Sequence, residues 1–117
     1  MQRDPRAFLW DVQAAAKQIQ AFTADMDANA YASNPMAQAA VERKFEVIGE
    51  ALSQLAKLDA LLAARVSDLP RIVAFRNQLI HGYARINIST VWTVVQTSLP
   101  LLLTETNALL DELGTSG

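Results

Sequence analysis

The residues that could do chemistry lie together in one short segment, which holds Arg76, Asn77, His81 and Tyr83. An arginine is always charged and offers a planar fork of N–H donors that suits phosphoryl oxygens. A histidine titrates near neutral pH and can therefore move protons. Together they suffice for cleavage of RNA without a metal. A base takes the proton of a ribose 2′-OH, the oxygen attacks the adjacent phosphorus, and the arginine stabilises the charge on the phosphoryl oxygens.

That reaction needs both a base and an acid, but the chain has a single histidine. Either His81 plays both roles in turn, or a second copy of the chain brings its own His81. The second arrangement predicts a symmetric dimer in which two Arg–His pairs face one cleft. On a helix, Arg76 and His81 are separated by about 7.5 Å along the axis, which two long side chains can span to reach one phosphodiester.

Each of these residues, taken singly, can also be explained by a purely structural role. A histidine near the end of a helix often stabilises the helix dipole, and a lone tyrosine often packs half-buried. Arg76 falls beside an apolar arc of the predicted helix, where it either covers that arc or faces another chain. A bundle of helices without activity therefore stays an alternative at this stage.

The elements that must position these residues are helices, because apolar residues recur at spacings of three and four. The first helix is predicted to begin at Asp4-Pro5, and the second at Asn34-Pro35 after a turn over residues 29–35. Their buried stripes are predicted to be Phe8, Val12, Ala15, Ile19, Phe22 and Met26, and Val41, Phe45, Ile48, Leu52 and Leu55.

The second half of the chain predicts a short turn over 59–62, a third main helix over 70–81 and a last long helix with a stripe over 88–113. Pro100 is expected to kink that last helix. We therefore predict an all-α fold, an up-and-down bundle of four to five helices, formed by a single domain that spans residues 1–117.

Gly49 lies in the middle of the second helix, where it costs about 1 kcal/mol relative to alanine. We expect the close approach of another backbone to compensate for that cost. Glu42, Arg43, Glu46 and Glu50 share the other side of this helix, and their spacing predicts a solvated face with ion pairs along the helix.

Composition excludes several kinds of site. The chain has no cysteine and one histidine, so disulfides, thiolate nucleophiles and a zinc site with several histidines are excluded within one chain, and we expect no metal or other cofactor. With a net charge of -2, RNA binding needs a local basic patch, for which Arg71 and Arg85 are the candidates. No apolar run is long enough for a membrane span, so we expect a cytoplasmic protein.

Arg76-Asn77, followed by His81 and Tyr83, resembles the R-x4-H-x-Y signature of HepT-type toxins of the HEPN family. The run Val41-Glu42-Arg43-Lys44-Phe45-Glu46-Val47-Ile48-Gly49-Glu50-Ala51 is similar to the family's second helix, and Val91-Trp92 resembles the start of its last long helix. These features span about residues 6–110. In one departure, Leu69-Pro70-Arg71 stands where the family often has Ile-Pro-Trp.

This resemblance implies a fold, a partner and a set of roles. Members of the family are helical bundles that dimerise, with the Arg and His motifs lining a cleft between protomers. Active members are metal-independent endoribonucleases that act as toxins, and their usual partner is a minimal nucleotidyltransferase (MNT) antitoxin, which in some systems adds AMP to a tyrosine. Carried over, Arg76 and His81 are catalytic, Asn77 supports them, and Tyr83 is the site of AMPylation.

Three functions compete at this point. The intact Arg76 and His81 favour a ribonuclease toxin, because a scaffold needs neither. The acidic balance and the single histidine favour a non-catalytic HEPN module that binds a nucleotide or serves as the partner of a nucleotidyltransferase. The third candidate is a plain dimerising bundle, whose support is the high apolar content of 51%.

Overall fold

The computed structural model describes residues 3–81 and 87–114, and this part of the chain forms six helices and no strand. The all-α prediction is therefore confirmed, with four long helices and two short ones. Tyr83 and Arg85 lie outside the described residues. The helices are α1 (Pro5–Thr23), α2 (Ala28–Ala32), α3 (Pro35–Leu58), α4 (Ala60–Ala63), α5 (Leu69–His81) and α6 (Ile88–Leu113).

Side-chain caps set the helix starts, as the sequence predicts. The side chains of Asp4, Asn34, Asp59 and Asn87 each accept a hydrogen bond from a backbone N–H in the first turn of the helix that follows. Such a bond satisfies one of the four N–H groups that a helix leaves without a partner at its start. Prolines follow two of these caps and begin α1 and α3, where the missing N–H costs nothing.

The turn predicted over residues 29–35 was wrong, because most of it belongs to α2. Asp27 caps this helix by accepting a hydrogen bond from the backbone N–H of Ala30 at 2.8 Å. Tyr31 is fully buried, and the centroid of its ring lies 5.2 Å from that of Trp92 in α6. One aromatic side chain thus anchors a helix too short to be stable by itself.

The core lies where α3 meets its neighbours. α3 packs against α1, α2, α4 and α5, and α6 packs against α1 and α2. The predicted stripe of α3 is buried along its whole length. The largest side chains of the core that are fully buried include Leu9, Ile19, Phe45, Ile48, Leu52, Leu55, Leu99 and Leu102.

The predicted stripes fail at the ends of helices. α1 ends at Thr23, so Met26 lies beyond it, and Phe22 is 41% exposed. Ile88 and Leu113, at the two ends of α6, are exposed as well. Periodicity predicts burial only where another helix lies opposite the stripe, and terminal turns often lack such a neighbour. α6 is continuous through Pro100, and the kink expected there stays a prediction.

α5 is the least enclosed of the long helices, since Ile72 and Phe75 are the buried residues among its thirteen. Phe75 holds it to α3, where its ring meets the Phe45 ring edge-on with centroids 5.3 Å apart. None of the helices described is apolar over a stretch long enough to cross a membrane. The helix that carries Arg76 and His81 therefore presents most of its side chains to solvent.

Candidate functional site

Arg76 packs directly on Gly49, which is buried in the middle of α3. A Cβ atom at position 49 would lie 2.2 Å from the Cβ of Arg76 and 2.5 Å from its Cγ, far inside van der Waals contact. α5 can approach α3 this closely because residue 49 has no side chain. The close approach that we expected at Gly49 is thus made by the aliphatic stem of Arg76 rather than by another backbone.

The guanidinium of Arg76 is fixed by two hydrogen bonds. Its Nη2 donates to Oε2 of Glu50 at 2.6 Å, and its Nη1 donates to Oδ1 of Asn77 at 2.9 Å. The Arg76 side chain is 25% exposed and that of Glu50 is 49% exposed, so the pair lies at the edge of solvent. Charged hydrogen bonds of this kind orient a fork of donors well, although an exposed ion pair adds little stability.

Glu50 is the site residue that the sequence interpretation missed. We placed it on a solvated face with Glu42, Arg43 and Glu46. Arg43 and Glu46 do form an ion pair within the helix at 3.4 Å, but Glu50 reaches across to α5. The signal was its position directly after Gly49, because a glycine that admits a second helix places the next side chain beside that helix.

The Nε atom of Arg76 is buried, and no described residue accepts a hydrogen bond from it. A buried N–H donor without an acceptor costs about 1–3 kcal/mol, and more when the group is charged. Because this atom is closed to solvent, an acceptor oxygen can reach it only after the side chains around it move. The arginine is therefore held by two of its nitrogens while a third still needs an acceptor.

Arg76 lies in an open groove of about 720 Å³, whose walls come from α1, α3 and α5 and from the residues before α1. Two further ion pairs lie in its walls, Arg3 with Asp11 at 2.9 Å and Arg43 with Glu46 at 3.4 Å. Apolar side chains, among them Val47 and Ile80, lie between the charged groups. The groove is thus large enough for an extended ligand and carries charges of both signs.

His81 is exposed and is the last residue of α5. Five residues of helix turn the chain by about 500°, so its side chain leaves the axis about 140° away from that of Arg76. Arg76 and Ile80 line the groove, and His81 does not. Within one protomer, the structure therefore brings Arg76 together with Asn77 and Glu50 but does not bring His81 into the same cavity.

The two candidate RNA-binding arginines are placed differently. Arg71 is exposed in the first turn of α5 and lies outside the lining of the groove. Arg85 lies outside the described residues, as does Tyr83. The cationic residues that line the groove together with Arg76 are instead Arg3, Arg43 and Lys57, none of which was among the candidates for RNA binding from the sequence.

Comparison with known proteins decides the family. The family model described as "Ribonuclease HepT-like" matches residues 12–109, which is most of the chain and includes α3, α5 and both motif residues. The chain belongs to the HepT-like ribonuclease family. Membership agrees with the resemblance drawn from the Arg76–His81 segment and from the Ile48-Gly49-Glu50 run.

Three relatives of this HepT-like chain match it over nearly their full length. A candidate RNase of Methanocaldococcus jannaschii is 35% identical over 105 residues, covering 88% of this chain and 94% of the relative. A second one from the same organism is 31% identical over 113 residues, covering 95% of each. A Thermococcus cleftensis protein named "Probable ribonuclease HepT" is 26% identical over 102 residues, covering 87% of this chain and 92% of its own. No solved structure matches the chain.

Proposed function

We propose that this protein is an endoribonuclease that cleaves RNA without a metal ion, with Arg76 as the phosphate-binding group and His81 as the group that transfers protons. One observation carries the proposal. In a chain of a ribonuclease family, an arginine that lines an open groove is held in one orientation by Glu50 and Asn77.

Arg76 does its part through preorganisation. Gly49 allows its stem to lie against α3, and Glu50 and Asn77 set the plane of its guanidinium before substrate arrives. A phosphoryl oxygen in the groove would find a guanidinium already oriented and partly shielded from water. Donors placed in this way stabilise the charge that develops on the phosphoryl oxygens in the transition state.

In the chemical step, one P–O bond forms and another breaks, while a proton is removed from the 2′ oxygen and one is delivered to the 5′ oxygen. His81 accepts the proton of the ribose 2′-OH, and the 2′ oxygen forms a bond to the adjacent phosphorus. The bond from phosphorus to the 5′ oxygen of the next nucleotide breaks, and that oxygen takes up a proton from an imidazolium. The products are a 2′,3′-cyclic phosphate and a free 5′-hydroxyl.

We propose a homodimer because one protomer does not place both groups in one cavity. His81 points about 140° away from Arg76 around α5, so a second copy is the simplest source of an imidazole opposite this arginine. Most of α5 is exposed and therefore accessible to a partner. In a symmetric pair, each groove would combine the Arg76 of one protomer with the His81 of the other.

The test of catalysis compares the parent protein with His81→Ala and Arg76→Ala in the presence of EDTA. We expect the parent to cleave RNA and to leave 2′,3′-cyclic phosphate ends, and both variants to lose at least about a hundred-fold in rate. Mixing the two inactive variants should restore part of the activity through mixed dimers. An EDTA-treated parent that leaves RNA intact would refute the proposed reaction.

A toxin–antitoxin pairing is the second part of the proposal. The partner would be an MNT-type nucleotidyltransferase that transfers AMP to Tyr83, two residues beyond His81 in the sequence. The added AMP brings bulk and negative charge, which would repel RNA from a phosphate-binding site. Intact mass after co-expression should show one or more AMP units on the parent and none on Tyr83→Phe. Equal modification of both proteins would remove Tyr83 from this role.

A non-catalytic binding module is the second candidate function. The observation in its favour is that the groove contains Arg76 but not His81. Such a module would bind RNA or a nucleotide through Arg76 with no effect of His81→Ala. Sedimentation separates the two candidates further, because a chain of 12.8 kDa that stays a monomer cannot assemble the shared site.

A further inference from the structure

The face of α3 that lines the groove carries charged residues at a spacing of seven. Arg43, Glu50 and Lys57 follow one another at this interval, and all three line the groove. Seven residues fall about 20° short of two full turns, so the three side chains leave the helix along nearly one line. Each interval is about 10.5 Å along the helix axis.

Arg76 adds a positive group at the midpoint of this line. Its guanidinium is bonded to Glu50, which lies seven residues from both Arg43 and Lys57. The groove therefore presents a cation at one end, in the middle and at the other end, over about 21 Å. The Arg43 side chain is 70% exposed and Lys57 is exposed, so both are open to a ligand.

The balance of charge in the groove is opposite to that of the whole chain. Among the described lining residues, four are cationic and three are anionic, a net charge of +1, whereas the chain as a whole carries -2. Arg3, Arg43 and Arg76 are each paired with a carboxylate of the groove. Within the described part of the chain, Lys57 has no ion pair and keeps its charge available.

The groove surface between the cations is partly apolar and partly polar. Val47 and Ala51 of α3 face it, and Ile80 of α5 contributes a side chain that is 46% exposed. The guanidinium of Arg3 covers the Phe8 ring at 4.7 Å and offers a flat face on which a base can stack. Cations spaced along a groove, together with a flat face on which a base can stack, are typical of sites for single-stranded nucleic acid.

We infer that the groove binds a single-stranded segment of RNA, in which Arg43 and Lys57 contact phosphates on either side of the one bound by Arg76. This inference rests on the proposed function for the identity of the ligand and extends it with two binding residues. Glu46 limits the site, because it holds Arg43 at 3.4 Å and competes with a phosphate for the same guanidinium.

The test measures binding separately from cleavage. The probe is a short fluorescein-labelled oligouridylate with 2′-O-methyl riboses, which lacks the attacking hydroxyl and cannot be cut by the proposed reaction. Fluorescence anisotropy is recorded at several salt concentrations. Each phosphate contact to a single strand contributes about 0.7 to the slope of log K against log salt, or about five-fold in affinity at 0.1 M salt.

We expect Arg43→Gln and Lys57→Gln each to weaken binding about five-fold and to lower the salt slope by about 0.7. Matched controls are Lys44→Gln, which makes the same charge change beside Arg43, and Lys17→Gln on α1. Both control lysines lie outside the lining of the groove, so binding should change less than about two-fold. Glu46→Gln should tighten binding, a gain that misfolding cannot produce.

The outcomes separate this inference from the proposed function. If the parent cleaves ordinary RNA while Arg43→Gln and Lys57→Gln bind the probe as the controls do, the inference is overturned and the proposed function stands. If the parent binds through these residues but cuts nothing, the inference stands and the proposed reaction fails. A parent that does not bind the probe, or variants that alter sedimentation instead of RNA binding, would overturn the inference.

Discussion

The two faces of α3 are organised in different ways. The core face consists of apolar side chains at spacings of three and four, from Val41 to Leu55, and each is almost fully buried. The groove face holds charged side chains that pair within the helix, as Arg43 does with Glu46, or across to α5, as Glu50 does with Arg76. Burial of apolar area stabilises the first face, whereas the second contributes position and charge more than stability.

The largest expected effect on stability is at Phe45, on the core face of α3. The residue compared with it is Arg43, which lies two positions earlier and lines the groove. Phe45→Ala removes a buried ring that packs on Phe75 and should lower the free energy of unfolding by about 3–5 kcal/mol. Arg43→Ala breaks an exposed ion pair and should cost less than about 1 kcal/mol. Urea denaturation measures both, and similar losses in the two variants would contradict the distinction between the faces.

The next largest effect on stability is expected at Gly49, where Arg76 of α5 packs on α3. Gly49→Ala adds a Cβ at 2.2 Å from that of Arg76, so α5 must move, and we expect a loss of about 1–3 kcal/mol in unfolding free energy. The same change in an Arg76→Gly background should instead stabilise by about 1 kcal/mol, because alanine is the better helix former and the clash is gone. If Gly49→Ala changes the unfolding free energy in the same direction in both backgrounds, then Gly49 does not serve to accommodate the Arg76 side chain.

Most of the helical architecture could be predicted from the sequence because its determinants are local. Asp4, Asn34 and Asn87 cap helices through bonds to residues two or three positions away, and the stripe of α3 follows from periodicity alone. α2 was missed because five residues carry little periodicity, and its stability depends on the distant packing of Tyr31 on Trp92.

The site could be predicted only in part, for the same reason. Arg76 stands out by its type and its spacing from His81, and Asn77 is its neighbour in the chain. Its anchor, Glu50, lies 26 residues away and belongs to another helix. Glu50 shares a helix face with Arg43 and Glu46, which pair within α3, so only its position after Gly49 distinguishes it. That pairing depends on how closely α5 approaches α3, which only the packing at Gly49 determines.

Substitution of Glu50 should change the stability of the protein only slightly, but it should strongly reduce the rate of RNA cleavage. Glu50→Ala removes the anchor of Arg76, and the cleavage rate should fall about ten-fold or more while the unfolding free energy changes by less than about 1 kcal/mol. Glu50→Gln keeps an acceptor for Nη2 and should restore part of the rate. Glu112→Ala is the matched control, because it removes the carboxylate of an ion pair with Arg65, and neither residue lines the groove. Loss of activity in that control would indicate a general effect of charge.

The smallest expected effect concerns Glu42, a partly buried residue of α3. Burial, and then the charge of Glu46, raise its pKa above the ordinary value of 4.5. A carboxyl whose pKa is raised by folding favours the folded state most at pH values below its unfolded pKa, and that contribution is lost as the pH rises through the folded pKa. Glu42→Gln should therefore be slightly more stable than the parent at neutral pH. In urea melts at a series of pH values, the advantage should shrink as the pH falls toward 4.5 and vanish below it, where both states of the parent carry a neutral carboxyl. An advantage that is constant with pH would show that packing, not the ionisation of Glu42, separates the two proteins.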